Sequence, residues 1–187
     1  GDNGCYISPK MLKSPLFRFL FWKHGLSVDR PREANQKYLD DLLNELDFVL
    51  AAVHSRFKQG REEMTARICR ALEHPLVNVL VHPTGRLIGE RDPYDVDLER
   101  VFATAKQHGK AAEINSSWQR LDLNDIHARR AQELGVPISI STDTHYLDNL
   151  ELMPLGVATA RRAWIGPDEV INALSLYQLL AFAHPRG

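Results

Sequence analysis

The sequence predicts an α/β fold in which parallel strands alternate with helices in the manner of a barrel. Two observations carry that expectation. From residue 46 onward, unbroken apolar runs (LDFVLAAV, VNVLV, VPISIST) alternate with segments of helical period, the pattern of parallel strands covered on both faces. The same runs end in the same kind of residue: His54 after the first, His82 after the second, Asp143 and His145 after the last. Functional groups of parallel α/β barrels gather at that end of the strands. At 187 residues the chain has the size of one domain with a continuous core.

The first strand closes at Val53. After it, REEMTARICRALE spaces Met64, Ile68 and Leu72 four apart, one apolar stripe of a helix. VNVLV is the second strand. A loop rich in turn formers, HPTGRLIGERDPY, leads to DLERVFATAKQHG, where Leu98, Val101, Phe102 and Ala105 share a face and Gly109 supplies the C-terminal cap. KAAEIN is the third strand. LNDIHARRAQELG follows as a helix, with Asp122 or Asn124 as its N-cap and Gly135 as its stop, and delivers the chain into VPISIST. Residues 149–163 and 167–182 read as two outer helices, the second with Pro167 in its first turn.

Residues 1–24 form a divergent leader without a clean period, and 25–187 the β/α domain, where GLSVD at 25–29 is a short strand candidate. Four strands do not close a barrel, so its open edges need a cover. The leader, a second copy of the chain in a homo-oligomer, or a segment outside this sequence can supply it.

An apolar fraction of 44% with 25% charged residues is that of a globular protein and argues against disorder. LFRFLFW at 16–22 is broken by Arg18 and falls far short of the roughly 20 residues of a spanning helix, so no membrane segment is expected. Cys5 and Cys69 make no CxxC pair, which fits a reducing cytoplasm. A formal net charge of −1 offers nucleic acid no global attraction. The charge is uneven, however. Lys10, Lys13, Arg18, Lys23, Arg30, Arg32 and Lys37 outnumber the acids Asp2, Asp29 and Glu33 in the first 37 residues, a basic start that suits either a polyanion or plain solvation.

Imidazole and carboxylate heads converging at one rim can hold a divalent cation, and a bound cation makes water a nucleophile at neutral pH. In STDTH, Asp143 and His145 stand two apart, so on a strand both face the same way. In a loop the same spacing equally describes an Asp capping a turn with a His beside it. His54 alone equally fits a hydrogen-bonded structural histidine; recurrence at three strand ends is what points to metal. Such donors suit Zn, Mn or Fe without choosing among them.

The remaining histidines, His24, His74, His108, His127 and His184, fall in the leader, a loop, helix surfaces or the tail and read as solvated. Glu113 and Asn115, closing KAAEIN, face the same rim as groups that orient a ligand imidazole, with turn chemistry as the other reading of Asn115. Arg86 and Arg120 lie on the following loops, where guanidinium groups hold phosphate bidentately or make surface ion pairs.

Taken together, NELDFVLAAVHSRFKQGREEMTARI, NVLVHPTGRLIGERDPYDVDL, AAEINSSWQRLDL and ISISTDTHYLDNLELMPLGVATARRAW resemble the later part of a PHP (polymerase and histidinol phosphatase) domain. The resemblance covers about residues 42–182 and is narrowest to the PHP domain at the C-terminus of bacterial and archaeal family X DNA polymerases. It implies a distorted, TIM-barrel-like (β/α)7 barrel with up to three Mn, Zn or Fe ions at the strand ends, and hydrolysis of phosphoesters. In the polymerase branch it implies Mn-dependent 3′–5′ exonucleolysis in DNA repair. His54, His82, Asp143 and His145 match metal ligands of the later motifs.

A PHP domain also opens on a His-x-His strand and supplies further histidines and a glutamate. This chain has no such opening motif, and Ser27 stands where the glutamate is expected. The expectation is therefore a barrel truncated or degenerate at its N-terminal part, fewer than three ions, and hydrolysis weak or lost. DNA or another phosphoester is the expected substrate, and an upstream polymerase domain the expected partner. Two alternatives stand beside it: a non-catalytic PHP remnant used for packing or DNA binding, and a small-molecule phosphatase of the histidinol-phosphate type.

Overall fold

The computed structural model of the chain describes residues 19–20 and 43–184. Five parallel strands lie side by side in the order of the sequence: β1 (Phe19–Leu20), β2 (Phe48–Ala51), β3 (Val79–Leu80), β4 (Ala111–Asn115) and β5 (Ile138–Ser141). Three helices alternate with the last four strands: α1 (Arg61–Leu72), α2 (Leu98–Gln107) and α3 (Asp125–Glu133); α4 (Met153–Arg162) and α5 (Leu176–Ala183) follow β5. Parallel neighbours need such crossovers, because a tight turn cannot bring the chain back in the same direction. The fold is α/β.

Burial explains the composition of each element. All five residues of β4 are buried, as a central strand covered on both faces requires. The α1 stripe of Met64, Ile68 and Leu72 and the α2 face of Val101, Phe102 and Ala105 are inside, as their spacing predicts. Phe102, Ile114, Leu123 and Ile138 are fully enclosed, each contributing roughly 1.5–3 kcal/mol relative to exposure. The α2 cap is Asp97, whose side chain accepts the Arg100 N–H at 3.1 Å. The α3 cap is Asn124, which accepts the His127 N–H at 2.8 Å, so Asp122 is left for another role. Gly109 and Gly135 take the left-handed φ of 65° and 76° that ends a helix.

The four expected strands are present. A fifth, β1, comes from the leader, to which the sequence alone assigns no element, and pairs Phe19 with Phe48 and Leu20 with Val49. Part of the leader thus covers the β2 edge. The GLSVD strand candidate, Ser27 and Cys5 lie outside the described residues.

The C-terminal third departs from expectation. Residues 167–182 do not form one helix: they divide into 3-10 turns at Pro167–Glu169 and Ile171–Ala173, followed by α5. Sheet contacts override the helical period. Val170 is extended and bridges Ile138 in parallel. The Asn172 amide accepts the Ile140 N–H at 2.7 Å and donates to the Ile140 carbonyl at 2.9 Å. Ser175 and Gln178 then restart the helix with a reciprocal capping box. The helix expected at 149–163 is also shorter. A 3-10 segment, Leu147–Leu152, precedes α4, whose first turn holds Pro154, where the missing N–H is harmless.

Gly156 lets α4 close on the sheet, since a Cβ there would stand 2.0 Å from Ser116 Oγ and 2.6 Å from Ile140 Cγ2. No helix among the described residues is long and apolar enough to cross a membrane.

Candidate functional site

At the C-terminal ends of β2 to β5, each following loop contains one non-glycine residue with left-handed backbone: Arg56 (φ 56°), His82 (34°), Leu121 (43°) and Asp143 (52°). Such conformations cost on the order of 1–3 kcal/mol each and persist where the surroundings over-determine them. Two buried carboxylates do much of the determining. Glu113, wholly buried in β4, accepts the His82 main-chain N–H at 2.6 Å, the Asn115 amide at 3.3 Å and the Ser141 hydroxyl. One side chain thereby ties the ends of three strands. Burial pushes its pKa up to about 7, against the opposing bonds from Ser141 and His82, while the charge of Asp143 adds to the rise.

Asp122 performs the parallel task one loop further out. Its Oδ2 accepts the N–H groups of Thr84 at 3.0 Å and Gly85 at 2.9 Å, and burial lifts its pKa to about 6 despite them. Arg86 donates Nε to the Arg120 carbonyl at 2.6 Å and Nη2 to the Leu121 carbonyl. The loops after β3 and β4 are thus joined from both sides.

On this frame the candidate donors sit unequally. His82 is 3% exposed, and its ring meets that of His54 edge-on, centroids 5.1 Å apart. Burial, then the charges of Arg120 and His54, push its pKa down to about 3, with Asp143 opposing; the imidazole is neutral. Its Nδ1 is buried with no hydrogen-bond partner. Asp143 Oδ2 receives Arg120 Nε at 3.1 Å, with both side chains largely buried at 19% and 15% exposure. Arg120 Nη1 is also buried without a partner. His145 is exposed, its Nδ1 2.7 Å from the Asp143 carbonyl.

Among the described residues no three His, Cys, Asp or Glu side chains stand close enough to hold one ion. The donors fit a divalent cation in kind: a neutral imidazole with a partnerless buried nitrogen, a second imidazole beside it, and a carboxylate whose charge bears on the first.

No family model matches the chain. Over 158 residues, 84% of its length, it is 38% identical to the DNA polymerase/3′-5′ exonuclease PolX of Bacillus subtilis, of which it spans 28%. It is 28% identical to a probable phosphatase of a Thermoanaerobacter species over 149 residues, spanning 58% of that protein. With a probable phosphatase of Caldicellulosiruptor bescii it shares 31% identity over 178 residues, 88% of this chain and 71% of the relative. The chain belongs to the PHP-type family of these proteins.

Within this PHP-type chain, the residues singled out by sequence take distinct places. His54 and His82 are brought together, Asp143 is paired with Arg120 and acts on His82 through its charge, and His145 stands at the exposed outer side. Glu113 holds the main chain of His82 rather than an imidazole. Asn115 touches no imidazole: it accepts the Ser117 N–H at 3.0 Å, the turn chemistry of its other reading, and donates to Glu113. Arg86 is engaged with carbonyls. His127, expected to be solvated, is half-buried, and burial and the nearby Arg86 lower its pKa. Asp122 is the residue that sequence reasoning passed over. The signal was the surplus: Asp122 and Asn124 both suited one N-cap, and a helix needs only one.

Proposed function

We propose that the chain is a metal-dependent phosphoesterase domain, the 3′–5′ exonuclease module of a family X DNA polymerase that trims DNA ends in repair. Its sheet would belong to a PHP-type (β/α)7 barrel, with an upstream polymerase domain as its partner and the cytoplasm as its setting. The observation that carries this reading is the buried, neutral His82, edge-on to His54 and within the field of Asp143, at the strand ends. The names of its relatives, a polymerase with exonuclease and several probable phosphatases, supply the reaction class.

His54, His82, Asp143 and His145 would hold Mn, Zn or Fe, in fewer than three sites. A cation held there lowers the pKa of water and draws charge from a phosphoryl oxygen. The chain's own groups do the rest. His82, kept uncharged by burial, presents a nitrogen lone pair; Glu113 fixes the turn that aims it; Asn115 steadies Glu113; Arg120 and Arg86 carry the guanidinium charge that phosphate requires.

The test is a Mn-dependent assay on a short DNA with a free 3′ end, run beside a small phosphomonoester, for the wild type and His82→Ala. Stepwise shortening of DNA from the 3′ end, lost on chelation and in the variant, is the expected result. Turnover of the phosphomonoester alone would move the reading to a small-molecule phosphatase, which the names of the phosphatase relatives favour. A folded protein that binds no metal and cleaves neither would overturn it in favour of a non-catalytic module.

A further inference from the structure

We infer that Arg67 is a positioning residue for His54: from within α1 its guanidinium fixes the turn that follows β2, and so holds the His54 ring against His82. The inference rests on the phosphoesterase reading above for the use of that pair, and on geometry for how the pair is kept.

The turn after His54 is strained at Arg56, with its left-handed φ of 56°. Arg67 grips both flanks of it. Nη1 donates to the Ser55 carbonyl at 2.9 Å and to Gln59 Oε1 at 3.2 Å, and Nη2 donates to Ser55 Oγ at 3.2 Å. The Gln59 N–H closes the turn on the Arg56 carbonyl at 3.1 Å, and the Gln59 amide reaches Glu63 of α1 at 2.6 Å. One planar fork therefore spans the turn, a task for which the point charge of a lysine is not shaped.

Arg67 is 7% exposed, and its acceptors are a carbonyl, a hydroxyl and an amide, none of them a carboxylate. Burial, then the charge of Arg56, press its pKa down. Burying a charge with no anion bonded to it costs stability. An apolar side chain would serve packing better; what the fork adds is a fixed turn.

The neighbouring loop is tied to the same turn. Phe57 stacks with Tyr94, ring centroids 6.3 Å apart, and carries the Arg91 guanidinium 4.0 Å from its centroid. Arg91 donates to the Gly85 carbonyl at 2.9 and 2.7 Å, and the Tyr94 hydroxyl to the Pro83 carbonyl at 2.7 Å. Pro83 and Gly85 lie just after His82, so a shift of the Arg56 turn displaces Phe57 and changes the spacing of the two imidazoles. Glu113 holds the His82 main chain; Arg67 does the same for the chain at His54.

The experiment compares wild type, Arg67→Lys and Arg67→Met as full chains. The nuclear Overhauser cross-peak between the His54 and His82 rings is followed with labelled histidine, and kcat and KM with the 3′-end DNA assay. Wild-type rings with centroids 5.1 Å apart should give the cross-peak. Arg67→Lys keeps the charge and loses the fork, so the cross-peak should weaken and kcat fall by about 10²-fold, the scale of a misplacement of about 1 Å. KM should change little, since Arg67 faces the turn and not the substrate. Arg67→Met should behave likewise. Folded variants that melt lower yet keep the cross-peak and kcat would make Arg67 purely structural and overturn the inference. Full rescue by lysine would overturn it too, leaving charge rather than the fork as the cause.

Should both variants fail to fold, Ser55→Ala combined with Gln59→Leu removes two of the three acceptors and leaves the buried arginine in place. A weaker cross-peak is expected there, and an unchanged one overturns the inference. A wild type without the cross-peak would overturn this inference alone. A wild type that turns over no phosphoester would remove the phosphoesterase reading and leave the cross-peak to decide this one.

Discussion

The rim of the sheet has two unlike halves. Around the ends of β3 and β4, Glu113 and Asp122 are buried carboxylates whose bonds run to main-chain N–H groups of His82, Thr84 and Gly85. Beyond the end of β5, Asp143 leans on one arginine and His145 stands in solvent beside a carbonyl. The first half holds the backbone; the second presents side chains. The difference teaches that a site can fix its backbone with buried carboxylates on one side and leave its side chains nearer solvent on the other.

The hardest blow to that contrast should be Glu113→Ala. Three donors, the His82 N–H, the Asn115 amide and the Ser141 hydroxyl, lose a buried acceptor, at about 1–3 kcal/mol for each group left unsatisfied. A loss of about 4 kcal/mol in urea-monitored stability is expected, whereas Asp143→Ala, which strands the single Arg120 Nε donor, should cost less, about 1–3 kcal/mol. Equal losses would erase the distinction between the halves.

Titration sharpens it next. Asp122 has a folded-state pKa raised to about 6 from an ordinary 3.8. Between those values the folded protein holds a proton that the unfolded chain has lost, so this group's contribution to stability falls as pH rises through 4 to 6. The full effect is on the order of 3 kcal/mol. Asp122→Asn, which keeps an acceptor for Thr84 and Gly85, should lose that slope. Its stability relative to wild type should therefore be more favourable at pH 7.5 than at pH 4.5, measured by denaturant midpoints. Parallel pH profiles in the two proteins would mean that Asp122 is not desolvated.

Behind the β5 half, Gly156→Ala tests how firmly the looser side is backed. A methyl group would press on Ser116 and Ile140, and overpacking of that kind costs about 1–3 kcal/mol, readable as a lowered melting temperature. The smallest change in stability belongs to His145→Ala. An exposed side chain bound to its own neighbour should shift the midpoint by less than about 0.5 kcal/mol. Under the metal reading it should still weaken Mn²⁺ binding.

The same division explains what the sequence disclosed. Apolar runs ending in His54, His82 and Asp143 were legible because strand burial and strand-end chemistry leave a local trace. The stripes of α1 and α2 were legible for the same reason. The roles of Glu113 and Asp122 were not, since their partners lie 31 and 37 or 38 positions away and no local pattern records such a bond. The strand at Phe19–Leu20 is too short to show a period and is defined by its partner β2. Residues 167–182 misled because their helical period is real, yet pairing of Val170 with Ile138 and the grip of Asn172 on Ile140 outweigh it.

That grip has a consequence for the molecule among its neighbours. A sheet margin with an idle N–H and carbonyl is a template on which a strand from another molecule can grow, the route to fibrils and tangled assemblies. Asn172 gives Ile140 both bonds from a single side chain, imitating a peptide group without the strand that would normally bring it. The sheet is finished at that position by an amide, and a crowded cell offers the rung no further company.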